Sequence, residues 1–349
     1  MRLGIDITSL QIASSSGIGV ATYETIRALS QQAGIEIVLY GRSAPVVPFS
    51  ETPVDLGLEL RLGSGLVSRA GNIAWLQYGV GPMLVGDGID VFWGTRHVLP
   101  RNAKDVALVA TLYDFWYARF PRQQPIANRT LNGMVMRDLM RDGDVFAAIS
   151  DDTAHDARAL FPKSAEKVRT VYMGVDQTEY APVDDSEIAR VRERLGIHGP
   201  FVLALDVHNP RKNFSAMLEA AAQMSDTTEP FKIVAVGKTR GAARDLGVQR
   251  HAEQLGLSSR VHFVGDVPQS DLLALYTGCA AFVYPSIYEG FGMPVLEAMA
   301  CGAPVICSST SSLPEVAGDA ALSVDPTSPE QLAAALVRVL CNESEAQRL

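Results

Sequence analysis

An α/β fold built on parallel sheets and divided into two doubly wound domains is predicted by three observations. Short runs of β-branched and aromatic residues recur along the chain, longer helical patterns separate them, and 349 residues exceed what one ordinary open-sheet core holds. Apolar residues make up 47% and charged residues 20%, which supplies a large core and excludes general disorder.

The runs are RLGIDI at 2–7, IEIVLY at 35–40, DVFW at 90–93, VALVATLY at 106–113, DVFAAIS at 144–150 and VRTVYM at 168–173. They continue with FVLAL at 201–205, FKIVAVG at 231–237, VHFVG at 261–265, AAFVYPS at 280–286 and PVIC at 304–307. Runs this apolar on both alternating positions read as strands covered on both faces, as in a parallel sheet with helices above and below. The segment GVDQTEYAPVDDSE at 174–187 combines Gly, Pro and acidic residues without periodicity, so the domain boundary falls there, giving domains of 1–180 and 181–349. In such folds ligands bind beyond the carboxyl ends of the strands, here in a cleft that both domains would line.

The net charge of −9 disfavours general nucleic-acid binding. Cys279, Cys301, Cys307 and Cys341 show no CxxC spacing and read as small apolar filler in a reducing compartment. No run approaches about 18 apolar residues, and MRLGIDITSL lacks the order of a signal peptide, so the expectation is a cytoplasmic protein.

Three segments carry chemistry. SSSGIG at 14–19 follows the first strand and precedes the helical run ATYETIRALS; Gly17 and Gly19 would let backbone approach an anion at a helix N-terminus. A nicotinamide fingerprint would need a third Gly near Thr22 and an acidic residue at the end of the second strand, whereas Glu36 sits at its start, and a plain tight turn explains the glycines as well. PSIYEGFGMPVLEAMACGAPV at 285–305 runs from a strand into a loop with Glu289, Gly290, Phe291 and Gly292, then into a helix opened by Met293 and Pro294. Exposed N–H groups there suit a diphosphate, and Glu289 and Glu297 could accept hydrogen bonds from sugar hydroxyls. Two carboxylates beside a diphosphate need cations, and DVHNPRKNFSAML offers Arg211 and Lys212 at the corresponding strand end.

EGFGMPVLEAMACGAPV with its Glu289-to-Glu297 spacing, PRKN at 210–213, SSLPEV at 311–316 and GIG near the N-terminus closely resemble family 4 glycosyltransferases. The resemblance covers nearly the whole chain and is strongest over 200–340. It implies the GT-B architecture, two Rossmann-like domains around a cleft, the C-terminal one binding the nucleotide sugar and the N-terminal one the acceptor. It further implies that Lys212 and Arg211 neutralise the donor diphosphate, and that Glu289 with the backbone of Gly290, Phe291, Gly292 and Met293 holds the hexose and phosphate. Glu297 would bind the ribose, while Gly17 and Gly19 approach the reacting centre. Transfer in the family retains anomeric configuration and needs no metal or other cofactor. Asp142-Gly143-Asp144 matches the D-x-D of metal-dependent enzymes but precedes a strand, and reads as a turn. Similarity of PRKN, YEGFGMP and SSLPEV to polysaccharide mannosyltransferases makes GDP-mannose the first donor to try, with a UDP-hexose next.

Three departures stand out. Tyr113-Asp114 occupies the acceptor-side position where many members carry His-Asp, Asp206 stands where some carry Arg, and the sequence reaches Leu349 soon after SPEQLAAALVRVL instead of continuing into a crossover helix. The first two keep open a homologue that binds nucleotide sugars without transferring them. From Trp93 to Arg141 the charge is +5, interleaved with Phe115, Trp116, Tyr117 and Phe120. That composition fits a lipid-diphosphate-linked saccharide acceptor and peripheral contact with the inner face of the cytoplasmic membrane, and equally fits solvated helices over an ordinary core. His97 and His155 have no ligand-spaced partners and read as neutral polar groups. The expected activity is transfer of a hexosyl unit to a saccharide or lipid-linked saccharide in polysaccharide or lipopolysaccharide assembly.

Overall fold

Side chains alternate across each strand, and the cores sort accordingly. In the second half of the chain Val202, Ala204, Ile233, Ala235, Ala281 and Val283 pack into one core, while their neighbours Leu203, Val234, Phe282 and Tyr284 pack into another. Each strand is thus buried on both faces, which explains runs with no polar alternation. The computed structural model describes residues 1–11, 17–47, 49–50, 55–69, 71–224, 231–237 and 242–349; Ser14, Ser15 and Ser16 of the SSSGIG segment lie outside them.

The chain forms two units, Met1–Met173 and Gly174–Leu349. The first holds β1 (Arg2–Asp6), β2 (Glu36–Gly41), β3 (Glu59–Leu62), β4 (Val91–Gly94), β5 (Ala107–Leu112), β6 (Val145–Ala148) and β7 (Val168–Thr170). The second holds β8 (Phe201–Leu205), β9 (Lys232–Val236), β10 (Val261–Gly265), β11 (Ala281–Tyr284), β12 (Val305–Ser308) and β13 (Ala321–Val324). Every pairing is parallel, in the orders β3-β2-β1-β4-β5-β6-β7 and β10-β9-β8-β11-β12-β13. Both orders reverse direction once, between β1 and β4 and between β8 and β11, where a doubly wound sheet opens a crevice beyond its strand ends. β3 and β13 are additions to the sequence reading: β3 is a half-buried edge strand with Glu59 and Arg61 in it, so it lacks the apolar run of a covered strand.

The loop after β11 is held by one glycine. Gly292 has φ 107°, outside the range of L-residues, and a Cβ there would run into Leu313 at the start of the Leu313–Ala317 helix. Gly292→Ala should therefore destabilise the second unit by about 2 kcal/mol or more, through backbone strain and overpacking. Thermal unfolding checks this; an unchanged melting temperature would show that the loop is not pinned there.

Candidate functional site

The switch point between β8 and β11 brings two loops together. β8 ends at Leu205, after which Asp206 adopts φ 50° and accepts a 2.9 Å hydrogen bond from Asn209 Nδ2. Asn209 caps the short Pro210–Lys212 turn by accepting from the Arg211 amide, and Asn213, at φ 54°, starts the Phe214–Gln223 helix. This double turn sends Arg211 and Lys212 toward the loop after β11. That loop is tied back by the Ile287 amide, which donates to the Arg211 carbonyl at 2.9 Å.

Lys212 Nζ lies 2.6 Å from Glu289 Oε1, donates to the Tyr284 hydroxyl, and stands 4.7 Å from the centre of the Tyr284 ring. Arg211 reaches the other Glu289 oxygen at 3.7 Å, and Ser286 Oγ donates to Oε1 at 2.6 Å. Glu289 is buried, with 6% exposure. Burial alone would raise its carboxyl, but Lys212, Arg211 and the Ser286 hydroxyl outweigh it and hold the group below the ordinary glutamate range. Its backbone is fixed as firmly: the Glu289 amide donates to Ser311 Oγ at 2.9 Å, while Ser312 Oγ donates to the Glu289 and Phe291 carbonyls at 3.0 and 2.8 Å. The SSLPEV segment thus serves as the clamp of the Glu289 loop. Gly290 and Phe291 are buried, and Met293 opens the Met293–Ala300 helix, whose N-terminus follows Gly292.

Glu297, on that helix, has a separate set of partners. It accepts from Tyr276 at 3.2 Å and from Tyr180, and burial pushes its carboxyl above the ordinary value despite both hydrogen bonds. The two glutamates therefore differ in charge state tendency although they share a motif. Sequence reasoning found both carboxylates and both cations; it assigned nothing to Tyr284, Ser286, Ser311, Ser312, Tyr276 or Tyr180.

In the first unit Gly17 and Gly19 open the Gly17–Ser30 helix, and a Cβ at Gly17 would meet open space, so local packing does not demand glycine there. Tyr113 follows β5; burial pushes its phenol well up, and its hydroxyl bonds to Thr22 and Thr111. Asp114 Oδ1 accepts from the Trp116 amide at 3.1 Å. Two neighbours escaped the sequence reading as a group. His97 packs 6.0 Å from the Tyr113 ring, with burial lowering its pKa, and Asp6, at the end of β1, is fully buried. Asp6 accepts from the Thr8 amide at 2.8 Å, from Thr8 Oγ1 at 3.1 Å and from Thr95 Oγ1 at 3.3 Å, yet burial still raises it to about 6.

Asp144, in the D-x-D segment, accepts from the Leu108 amide at 2.8 Å, and Asp142 pairs with Arg141 at 2.6 Å, as structural turn groups do. Among the described residues no cluster of three or more His, Cys, Asp or Glu is spaced to hold a metal ion. Cys279, Cys301 and Cys307 are buried and unbridged.

Residues 15–179 match the family model Glycosyltransferase Family 4, and 186–349 match Glycosyl transferases group 1. The chain belongs to the family 4 glycosyltransferases. It is 29% identical over 256 residues to O-antigen chain mannosyltransferase B of Escherichia coli, covering 73% of this chain and 66% of that protein. It is 31% identical over 205 residues to the serotype-specific mannosyltransferase WbdA of Escherichia coli, covering 58% of this chain and 25% of the relative. The chain therefore spans less than two thirds of the length of these curated relatives. The crystal structure of Anabaena HepE in complex with UDP and glucose superposes with a TM-score of 0.74 at 17% identity, covering 100% of this chain and 92% of that one. WaaG, a glycosyltransferase involved in lipopolysaccharide biosynthesis, gives 0.71 at 18%, covering 99% and 92%. Both support the GT-B fold of two Rossmann-like domains.

Asp6 supplies a test independent of the family. Its folded pKa of about 6 lies above the unfolded value of 3.8, so its contribution is fully present below the unfolded pKa and is lost as pH rises through 6. Wild type should lose up to about 3 kcal/mol of stability relative to Asp6→Asn between pH 4 and pH 7. Parallel pH profiles for the two proteins would show that folding leaves the titration of Asp6 unchanged.

Proposed function

We propose that this glycosyltransferase moves a hexosyl unit, mannosyl first among the candidates, from a nucleoside diphosphate sugar to a saccharide or lipid-diphosphate-linked saccharide, with retention and without a metal. The observation that carries the reading is the pair of cations, Lys212 and Arg211, meeting a buried ionised Glu289 at the β8–β11 switch point. The relatives' names, O-antigen chain mannosyltransferase B and WbdA, support mannose and therefore GDP-mannose, while the UDP and glucose in HepE keep a UDP-hexose as second donor.

The chemistry follows from charge. Breaking the anomeric C–O bond leaves negative charge on the diphosphate, which Lys212, Arg211 and the N-terminus of the Met293–Ala300 helix stabilise where it develops. A preorganised ammonium supplies the counter-charge that a divalent ion supplies in other transferases. Lys212 exchanges Glu289 for phosphate oxygens when the donor arrives. Glu289, ionised and acceptor-only, then receives hydroxyls of the hexose. Glu297 accepts the ribose hydroxyls. The acceptor hydroxyl attacks the anomeric carbon on the face that the diphosphate leaves, the new glycosidic C–O bond forms, and the hydroxyl proton passes to a phosphate oxygen. Tyr113, its phenol pushed up by burial, stays protonated at neutral pH and acts as a hydrogen-bond donor. The complete set of Lys212, Arg211, Glu289 and Glu297 favours transfer over binding without turnover.

The acceptor unit also carries a feature suited to a membrane surface. The Ile126–Asp142 helix exposes Ile126, Leu131 and Met134 together with Arg129, Arg137 and Arg141, an arrangement that can lie on an anionic bilayer. No described helix is long and apolar enough to cross one. Peripheral contact from the cytoplasmic side fits both facts.

Transfer from GDP-mannose and UDP-hexoses should persist in EDTA, and activity lost in EDTA and restored by Mn²⁺ would contradict the metal-free reading. Lys212→Ala should reduce transfer at least about 100-fold and weaken nucleotide binding, with Arg211→Ala about tenfold less active. Unchanged nucleotide affinity in a folded Lys212→Ala would remove Lys212 from the donor site.

A further inference from the structure

Within the first unit a cavity of about 510 Å³ opens among the loops that follow β2, β4 and β5. Its polar lining is Arg42, Asn72, Arg96, His97, Tyr113 and Asn132, and no carboxylate appears among its described lining residues. Ile18, Leu131 and Val135 supply an apolar wall. The volume lies in the range of small-molecule sites.

The two guanidinium groups are differently prepared. Arg42 Nε donates to Asn72 Oδ1 at 2.6 Å, which orients the fork before any ligand arrives. Arg96 is half-buried and makes no ion pair with a carboxylate among the described residues. It feels the field of Asp6, but Asp6 already accepts from Thr8 and Thr95, and Asp6 does not line the cavity. A half-buried arginine that no carboxylate pairs directly, with only this indirect counter-charge, is an arrangement that an anion completes. His97 is close by, its imidazole kept neutral by burial, with Nε2 3.4 Å from the Tyr113 amide that donates to it. Two guanidinium forks and the side-chain amides of Asn72 and Asn132 offer more donors than a single carboxylate can take, and suit the three acceptor oxygens of a phosphate.

We propose that this cavity binds a phosphate carried by the sugar acceptor, Arg96 and Arg42 holding its oxygens while the apolar wall packs against the attached sugar or chain. The word acceptor rests on the transferase reading above; the anion site does not. A soluble sugar phosphate and a lipid-diphosphate-linked sugar present the same chemistry, and the experiment separates them.

The full chain, with GDP and UDP both saturating so that the donor site is filled, is titrated calorimetrically with a hexose 1-phosphate, with the neutral hexose, and with a short-chain lipid-diphosphate hexose in neutral detergent. A phosphorylated ligand should bind and the neutral hexose should not. Arg96→Ala should weaken that binding about 10- to 100-fold, Arg96→Lys should recover part of it, and Lys212→Ala should leave it unchanged. Binding of the soluble phosphate alone, or of the lipid-linked one alone, identifies the source of the phosphate. Failure of both to bind, equal binding in a folded Arg96→Ala, or equal binding of the neutral hexose overturns the proposal. Because no turnover is read, loss of the transferase reading would leave this result standing, and failure here would leave donor binding untouched.

Discussion

A carboxylate buried to 6% exposure survives in ionised form only if its charge is met, and in the second unit everything around β8 and β11 serves that requirement. Lys212 and Ser286 meet one oxygen of Glu289 and Arg211 approaches the other. The positions of those groups depend on Asn209 and Asn213 at one turn and on Ser311, Ser312 and Gly292 at the next. Removing one partner of such a pair typically costs about 3–5 kcal/mol, so the site and the local fold are one structure. The same pairing keeps two cations gathered at a strand-end crevice.

Each unit places a buried carboxyl at the switch point of its sheet, on opposite sides of it and with opposite outcomes. Asp6 ends β1 beside β4, and Glu289 follows β11 beside β8. Burial acts upward on both. Glu289 has an ammonium and a guanidinium against it and is held low, whereas Asp6 has an amide, two hydroxyls and the weaker pull of Arg96, and rises to about 6. One sheet end therefore holds its carboxylate ionised against two cations, whereas at the other the carboxyl titrates at about 6. The difference lies in which side chains the loops bring, not in the shared strand order.

Much of this was legible in the sequence because covered parallel strands advertise themselves. Eleven apolar runs mark strands, and the two unmarked strands, β3 and β13, are edge strands of the two sheets. The site was legible where a motif is contiguous: Glu289 through Glu297 reads directly, and DVHNPRKN, at the strand end after FVLAL, offers Arg211 and Lys212. What could not be read is pairing across distance. Lys212 and Glu289 are 77 positions apart and Asp6 and Thr95 are 89 apart, and neither spacing carries a local signal. Nor does a strand-end aromatic such as Tyr284 announce that it will accept from a lysine, or an arginine such as Arg96 that no carboxylate among the described residues will pair with it directly.

The proposed function makes the Lys212–Glu289 pair the resting form of a donor site, opened by exchange with a diphosphate. A crystal structure with an intact nucleoside diphosphate hexose measures this directly. Lys212 Nζ should lie within hydrogen-bonding distance of a diphosphate oxygen, with Glu289 turned to the hexose hydroxyls. A bound donor with Lys212 still on Glu289 and the diphosphate held elsewhere would contradict it.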